Sequence, residues 1–316
     1  MLAVNTGGKL SSKDELRAQC NLATHTAPNW IAMFVSESDV AAQNTNDHNY
    51  SDANIQHRHH PGKGSRAMRW IIRAMHSKAV QTCVWRGRCG AIHIHTASIN
   101  IFAIGIHASH GDGLPGSLRD VAVLAKGRPW GAKLLVVGDW NVDLLPIHAA
   151  DPFAGAPGRA ERHAFERRWL DSLVAAFHLE VSVPSRSIDA PAGKWAECTI
   201  GAPVTRVPQG DAPGLPSLLD FAAGSRGVVQ EVWTSWAAAP GDHAMIIINI
   251  DAHVMARRWK KTNWACKDEK ACIAWLKQHA NKAPGDMSSF EALMLEAQNK
   301  WADNRTCSQR SKERLP

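Results

Sequence analysis

The sequence predicts an α/β fold in which two packed mixed β-sheets are flanked by helices. Short aliphatic segments bounded by turn residues alternate with a few long helical patterns, and strand-rich blocks recur in both halves of the chain. Polar side chains follow the ends of several predicted strands, which is where sheet proteins gather their ligands. These observations predict both the fold class and the sheet edge that carries a functional site.

The predicted strands are apolar or β-branched runs bounded by glycine, proline or charged turn residues. They cover residues 2–4, 31–35, 67–73, 80–85, 91–96, 99–106, 134–137, 179–183, 228–233 and 245–250. The polar stretch 43–64 is predicted to be a long surface loop, and the Pro/Gly-rich stretch 184–216 to be irregular. The loop histidines His57, His59 and His60 have no fourth ligand nearby, which favours a solvated loop touching phosphate over a closed metal site.

The predicted helices are segments in which apolar residues recur every three or four positions. The first begins near Lys13, and a short one covers 118–124. The strongest pattern covers 161–177, where aromatic and leucine residues repeat at a spacing of four. Two further amphipathic patterns cover 268–279 and 288–304.

The composition is that of a globular protein with a basic balance of charge. Of 316 residues, 45% are hydrophobic and 21% charged, and the formal net charge of +7 favours polyanionic partners, nucleic acid first. Seven cysteines include no CxxC pair, so free thiols in a reducing compartment are expected and no disulfide partner. The longest aliphatic run, 245–248, is far too short to span a bilayer, and no signal-peptide core is present, so no membrane association is expected.

The most informative stretch is KLLVVGDWNVD at residues 133–143. Its aliphatic run reads as a buried strand that Gly138 ends, and Asp139 and Asn141 follow two residues apart. On an extended backbone these two side chains would share a side. A carboxylate there can hold a divalent cation or orient a water, and an amide can bind a phosphoryl oxygen. Taken alone, the pair is as readily a turn that satisfies backbone groups.

Eight polar residues occupy this kind of position at the ends of predicted strands. Any one of them is more often a cap or turn residue, but the set is harder to explain in that way. The set consists of Asn5, Glu37, His107, Asp139, Asn141, Asp220, Asp242 and His243.

The order of these motifs resembles the endonuclease/exonuclease/phosphatase superfamily, which includes DNase I, abasic-site endonucleases and the endonuclease domains of LINE-type non-LTR retrotransposons. The resemblance is carried by VNTGG around Asn5, SES around Glu37, GIHASH around His107, GDWN at 138–141, SLLD at 217–220 and GDH at 241–243. No single motif is specific, but their combination is. It covers about residues 1–252, is most like the retrotransposon domains, and implies a four-layer, DNase I-like α/β sandwich.

The resemblance implies a Mg²⁺-dependent phosphodiesterase, with Mn²⁺ as an alternative ion. Glu37 would be the principal metal ligand, helped by Asn5 and Asp242. The substrate would be duplex DNA, nicked on one strand, and the location intracellular, in the nucleus. His107 stands where abasic-site enzymes have Tyr, which favours intact over abasic DNA.

The resemblance also implies how protons move. Asp139 would orient or deprotonate the attacking water, and Asn141 would hold that water and a phosphoryl oxygen. His243 would pair with Asp220, which fixes its tautomer and raises its basicity. His107 would assist the leaving oxygen.

Three features depart from the family pattern without removing a metal ligand. Ser36 stands where Gln is usual, Trp140 replaces the Phe of GDFN, and the first strand begins almost at Met1. The site is therefore interpreted as intact.

The sequence after residue 252 changes character and is predicted to be a separate basic, Trp-containing helical extension or linker, 253–316. Arginines and lysines surround Trp259, as expected for a stretch that leads from a retroelement nuclease towards a polymerase. Ordinary helices packed on the domain, with a solvated basic face, explain the same pattern equally well.

Two other functions stay open from the sequence. The same chemistry would serve a phospholipid or inositol phosphate, although the Arg and CDR-type motifs of inositol phosphatases are replaced here by Val142, Asp143 and Leu218-Leu219. A catalytically silent nucleic-acid-binding domain is the other alternative, and it would not require the acidic residues and His243 to be intact.

Overall fold

The aliphatic runs of the sequence form strands of two packed sheets, and the computed structural model gives their bounds. It describes residues 1–10, 13–38, 53–59, 67–96, 98–145, 159–191, 204–208, 215–251 and 268–280, with residues 196, 293, 296, 297, 300 and 301. The strands are β1 (Leu2–Asn5), β2 (Ala32–Ser38), β3 (Ala53–His59), β4 (Ala67–Arg73), β5 (Val80–Arg86), β6 (Cys89–His95), β7 (Asn100–His107), β8 (Lys133–Asp139), β9 (Leu179–Ser182), β10 (Arg186–Ser187), β11 (Asp220–Ser225), β12 (Val229–Ser235) and β13 (Met245–Ile250).

The helices are α1 (Lys13–Thr26), α2 (Leu114–Lys126), α3 (Arg159–Ala176) and α4 (Glu269–Ala280), with 3₁₀ turns at Ala74–Ala79 and Gly111–Gly113. No helix among the described residues is long and apolar enough to cross a membrane.

Both sheets are mixed. The first has the order β10-β12-β13-β1-β2-β4-β3 and the second β5-β6-β7-β8-β11-β9. At the centre of the first, β1 runs parallel to β2 and antiparallel to β13, and at the centre of the second, β7 runs parallel to β8 and β11 antiparallel to it. The carboxyl ends of the parallel strands therefore meet the start of the antiparallel ones at a single edge.

The main core lies between the sheets, where Phe34 and Trp70 of the first sheet pack with Leu135 and Val137 of the second. Outside the first sheet, α1 buries Leu16 against its outer face. Outside the second, α2 and α3 bury apolar residues of their own. The result is the predicted four-layer arrangement of helix, sheet, sheet and helix.

Two of the sequence-based expectations for local structure are wrong. The stretch predicted to be a surface loop contains β3, which pairs with β4 at the edge of the first sheet. The strand β11 was not predicted, because its residues Ala222, Ala223 and Gly224 are weak strand formers, yet it lies between β8 and β9. Burial between two neighbouring strands outweighs that propensity.

Apart from the two-residue strand β10, which lies in the stretch predicted to be irregular, the remaining elements follow the sequence patterns, with boundaries that differ by a few residues. β2 extends past the predicted strand and includes Glu37, and α2 begins four residues earlier than predicted, at Leu114. Most of the predicted helix 288–304, and the basic cluster around Trp259, lie outside the described residues.

The chain divides into two compact units, Met1–Ala256 and Arg257–Pro316. The first contains both sheets. In the second, α4 stacks the rings of Trp275 and His279, and the Lys300 ammonium lies over the ring of Trp275.

Candidate active site

Strand pairing alone brings three of the predicted residues together. His107 ends β7 and is the parallel partner of Asp139, which ends β8. Asp139 is in turn the antiparallel partner of Asp220, the first residue of β11. In the first sheet Asn5 ends β1 beside the end of β2, and His243 lies two residues before β13. All of these positions belong to the edge at which parallel strands end.

Asp139 is the centre of the site and is only 2% exposed. Its Oδ2 accepts a hydrogen bond from the Asn5 amide at 2.8 Å, and its Oδ1 accepts one from the Asn141 backbone N–H at 3.0 Å. Because Asn5 belongs to the first sheet and Asp139 to the second, the Asn5 bond joins the two sheets at this edge.

Asn141 is reached by a turn and not by an extended backbone. Its φ of 50° is left-handed, and the carboxylate of Asp139 caps its N–H. The expectation that the two side chains share a side of an extended strand is therefore wrong in its geometry. The Asn141 amide donates to the Ala108 carbonyl at 2.6 Å, which holds the side chain beside the end of β7.

His243 and Asp220 form the predicted pair, with Nδ1 and Oδ2 2.7 Å apart. Burial acts to lower the pKa of His243, but the charge and hydrogen bond of Asp220, with Asp139 and Asp242 nearby, outweigh it and raise the pKa to about 9. His243 is thus positively charged at neutral pH. Its Nδ1 lies 4.0 Å from Asp139 Oδ2.

His107 is in the opposite electrostatic state. Burial lowers its pKa to about 4, Asp139 opposes that effect, and the positive charge of Arg88 adds to it. Arg88 Nη1 lies 3.2 Å from His107 Nδ1, while Nε2 faces Glu37 Oε1 at 3.7 Å and Asp139 Oδ2 at 4.0 Å. His107 is therefore neutral at neutral pH.

The remaining predicted metal residues, Asn5, Glu37 and Asp242, lie at the same edge, each with partners of its own. Glu37 has a left-handed φ of 54° at an irregularity of β2, and its side chain is 29% exposed. The Asn5 Oδ1 accepts the Gly7 N–H at 3.0 Å. Asp242 Oδ2 pairs with Arg206 Nε at 3.1 Å.

These groups fit a hard divalent cation. Asp139, Asp220 and His243 offer ligand atoms within 4.8 Å of one another, a spacing that could hold a metal ion. Asp220 and His243, however, satisfy each other through their own hydrogen bond. The carboxylates of Glu37 and Asp139 and the amide oxygen of Asn5 supply the oxygen atoms that Mg²⁺ and Mn²⁺ prefer.

Three residues at the site were not identified from the sequence. Thr205 is buried, and its hydroxyl accepts the N–H groups of Leu219 and Asp220, which fixes the start of β11. Thr205 and Arg206 lie in the Pro/Gly-rich stretch, which carries no periodic signal. Arg88 could have been found, because pairing the predicted strands 91–96 and 99–106 across the short turn between them would place it opposite His107.

The fold agrees with those of known nucleases. No family model matches the sequence, and the comparison with curated proteins finds no match. The endonuclease domain of TRAS1, a telomere-specific non-LTR retrotransposon, is similar with a TM-score of 0.50 and 11% identity over 80% of this chain and 97% of that one. The AP endonuclease LMAP from Leishmania major is similar with a TM-score of 0.53 and 13% identity over 78% of this chain and 86% of that one.

At these identities the similarity establishes the fold. The chain has the DNase I-like α/β sandwich, so the predicted fold is confirmed.

Proposed function

We propose that this chain is a metal-dependent phosphodiester hydrolase, and specifically a Mg²⁺-dependent endonuclease of the retrotransposon type that nicks one strand of duplex DNA. The observation that carries the proposal is the junction at Asp139. There a buried carboxylate, held by Asn5 and by the Asn141 backbone, lies within 4.0 Å of two histidines, His243 with its pKa raised by Asp220 and His107 with its pKa lowered by burial. Groups of opposite protonation state around one carboxylate suit a reaction in which water attacks and an alkoxide leaves.

The metal would be held by Glu37, with Asn5 and Asp242 in support. When bound, the ion would neutralise the charge of the phosphodiester and stabilise the charge that develops on its oxygens. We extend this ligand set from the resemblance described above, and the oxygen-rich chemistry of the side chains supports it.

The chain's own side chains would orient the reactants. Asp139 would accept a hydrogen bond from the attacking water and take its proton as the new P–O bond forms and the P–O ester bond to the leaving alkoxide breaks. His243, charged and fixed through Nδ1 by Asp220, would present Nε2–H to a phosphoryl oxygen. Asn141 would hold the water and a phosphoryl oxygen.

DNA as the substrate is supported by charge and by structural neighbours. The net charge of +7 favours a polyanion, and both structural neighbours above are named as endonucleases. The described residues contain one cluster of possible metal ligands. A single site would cut one strand in each encounter with the duplex, which supports nicking.

The test is nicking of supercoiled plasmid by the full chain, with Mg²⁺ or with EDTA. We expect nicking with Mg²⁺ only. Asp139→Asn, Asp220→Asn and His243→Gln should each slow it by about 10²–10⁴-fold, the usual contribution of a positioned proton-transfer group. Glu37→Gln should raise the Mg²⁺ concentration that is needed.

The matched control is Asp171→Asn, the same chemical change at an exposed position of α3, which should nick at the wild-type rate. If the folded protein leaves the plasmid intact but hydrolyses a phospholipid or an inositol phosphate, that ester and not DNA is the substrate. If the protein binds DNA but hydrolyses none of these esters, the chain is a nucleic-acid-binding domain and the proposed enzymatic activity is refuted.

A further inference from the structure

We propose that Arg88 is a positioning residue that fixes the tautomer of His107, so that His107 acts as a hydrogen-bond donor through Nε2 and not as a general base. The inference deepens the proposed function and rests on it, because the oxygen that His107 would bind belongs to the phosphodiester substrate. It assigns a role to a turn residue that supplies no metal ligand.

The hairpin between β5 and β6 brings Arg88 to His107. Arg88 directly precedes β6, and the antiparallel register pairs Cys89 with Ile106, the residue before His107. The His107 N–H donates to the Arg88 carbonyl at 3.1 Å, so the two backbones are joined at this point. Arg88 is thus held opposite the end of β7 by the sheet itself.

The turn that carries Arg88 is also anchored to the neighbouring helix. Gly87 has a left-handed φ of 50°, and a side chain there would overlap the carboxylate of Asp120 on α2. Arg86 Nε pairs with that same carboxylate at 2.8 Å. The two arginines of one turn therefore have different tasks, since Arg86 holds the turn and Arg88 faces the site.

The tautomer of His107 follows from the chemistry of its partner. A guanidinium has only donors, so at a separation of 3.2 Å the Nδ1 of His107 must accept and carries no proton. In the neutral ring the proton is then on Nε2. A nitrogen that already carries a proton cannot accept one, which excludes Nε2 as a base.

The Nε2–H group points to the centre of the site. It faces Glu37 Oε1 at 3.7 Å and Asp139 Oδ2 at 4.0 Å, and both separations exceed a direct N–H···O hydrogen bond. The donor is therefore directed at the space between two carboxylates, where an oxygen of the substrate would complete its bond.

His243 shows the contrast within the same site. Its Nδ1 lies on a carboxylate, which only accepts, so that Nδ1 donates. The Nδ1 of His107 lies on a guanidinium, so that Nδ1 accepts. The two histidines next to Asp139 thus use Nδ1 in opposite ways. In His243 it donates to Asp220, and in His107 it accepts from Arg88.

The tautomer can be measured without turnover. We would record long-range ¹H–¹⁵N spectra of the imidazole rings in metal-free protein with EDTA at neutral pH, and assign His107 by the signal lost in His107→Gln. The variants are Arg88→Met, which removes the donor, and Arg88→Lys, which keeps one. Arg226→Met is the matched control, because it removes the same charge from a turn residue whose side chain is 93% exposed and takes no part in the site.

We expect an unprotonated Nδ1 and a protonated Nε2 for His107 in the wild type, in Arg226→Met and in Arg88→Lys. In Arg88→Met a protonated Nδ1 should appear, and with plasmid the nicking rate should fall by about 10–100-fold, as for other residues that orient an active-site histidine. A protonated Nδ1 in the wild type, or an Arg88→Met spectrum identical to it, would overturn the inference. Because the spectra need no substrate, an inactive wild-type protein with the expected tautomer would refute the proposed function and leave the Arg88 contact intact.

Discussion

At the scale of single residues, the packing of Trp140 stabilises the positions of the site residues next to it. It lies between Asp139 and Asn141, is fully buried, and stacks on Phe221 with ring centroids 4.9 Å apart. Its indole N–H donates to the Phe221 carbonyl at 3.0 Å. Because Phe221 follows Asp220, this contact fixes the end of β8 against the start of β11.

Trp140→Phe should therefore destabilise the protein by about 1–3 kcal/mol, since it opens a cavity and leaves a buried carbonyl without its donor. Plasmid nicking should also slow, because both neighbours of Trp140 lose support. Urea denaturation measures the first effect. The control is Trp130→Phe, at a side chain that is 73% exposed, which should change the free energy of unfolding by less than about 0.5 kcal/mol. Equal losses in the two variants would contradict this account of Trp140.

At the scale of elements, the strands and helices predicted from the sequence are those whose own residues show an apolar run or a periodic apolar pattern. The aliphatic run of β8 and the apolar period of α3 were identified because burial imposes a pattern on a single segment. The strands β3 and β11 were not, since the first is polar and the second is built from small residues. Their pairing depends on β4, β8 and β9, which are distant in sequence.

The site was predictable to the same extent. Polar residues that end recognisable strands, such as Asp139 and His107, could be placed at one edge before any coordinates. The left-handed turn at Asn141 could not, because it depends on hydrogen bonds to both sides of the loop. Arg206 was missed for a similar reason, since its partner Asp242 lies 36 residues away.

The two sheets approach closely where β7 crosses the first sheet, and a glycine makes this possible. A Cβ built on Gly105 would overlap the ring of Phe34 across the interface. Gly105→Ala should cost about 1–3 kcal/mol of unfolding free energy, the usual penalty for overpacking a filled core.

Gly116→Ala is the matched control, because Gly116 lies on α2 and a Cβ there meets nothing within 4 Å. It should stabilise the protein by about 0.5 kcal/mol, since alanine is the better helix former. Thermal unfolding of both variants decides the matter, and a Gly105→Ala variant as stable as the wild type would show that the sheets can move apart.

At the scale of the whole molecule, the two histidines give the metal-free protein a stability maximum near neutral pH. The pKa of His107 is lowered from 6.5 to about 4, so between these values the unfolded chain binds a proton that the folded chain does not, and stability falls as the pH falls. The pKa of His243 is raised from 6.5 to about 9, so the folded chain retains a proton that the unfolded chain releases, and stability is lost as the pH rises through that range.

Each histidine should therefore control one arm of the stability profile. In urea denaturation with EDTA across pH 4 to 9, His107→Gln should flatten the acid arm and His243→Gln the alkaline arm, each by up to about 1.4 kcal/mol per pH unit, the effect of one proton. The two variants are controls for each other, because groups that titrate elsewhere contribute equally to both. If both variants flattened the same arm, or if neither slope changed, burial would not keep the His107 ring neutral and Asp220 would not keep the His243 ring charged. The contrast between the histidines on which the proposed chemistry depends would then be lost.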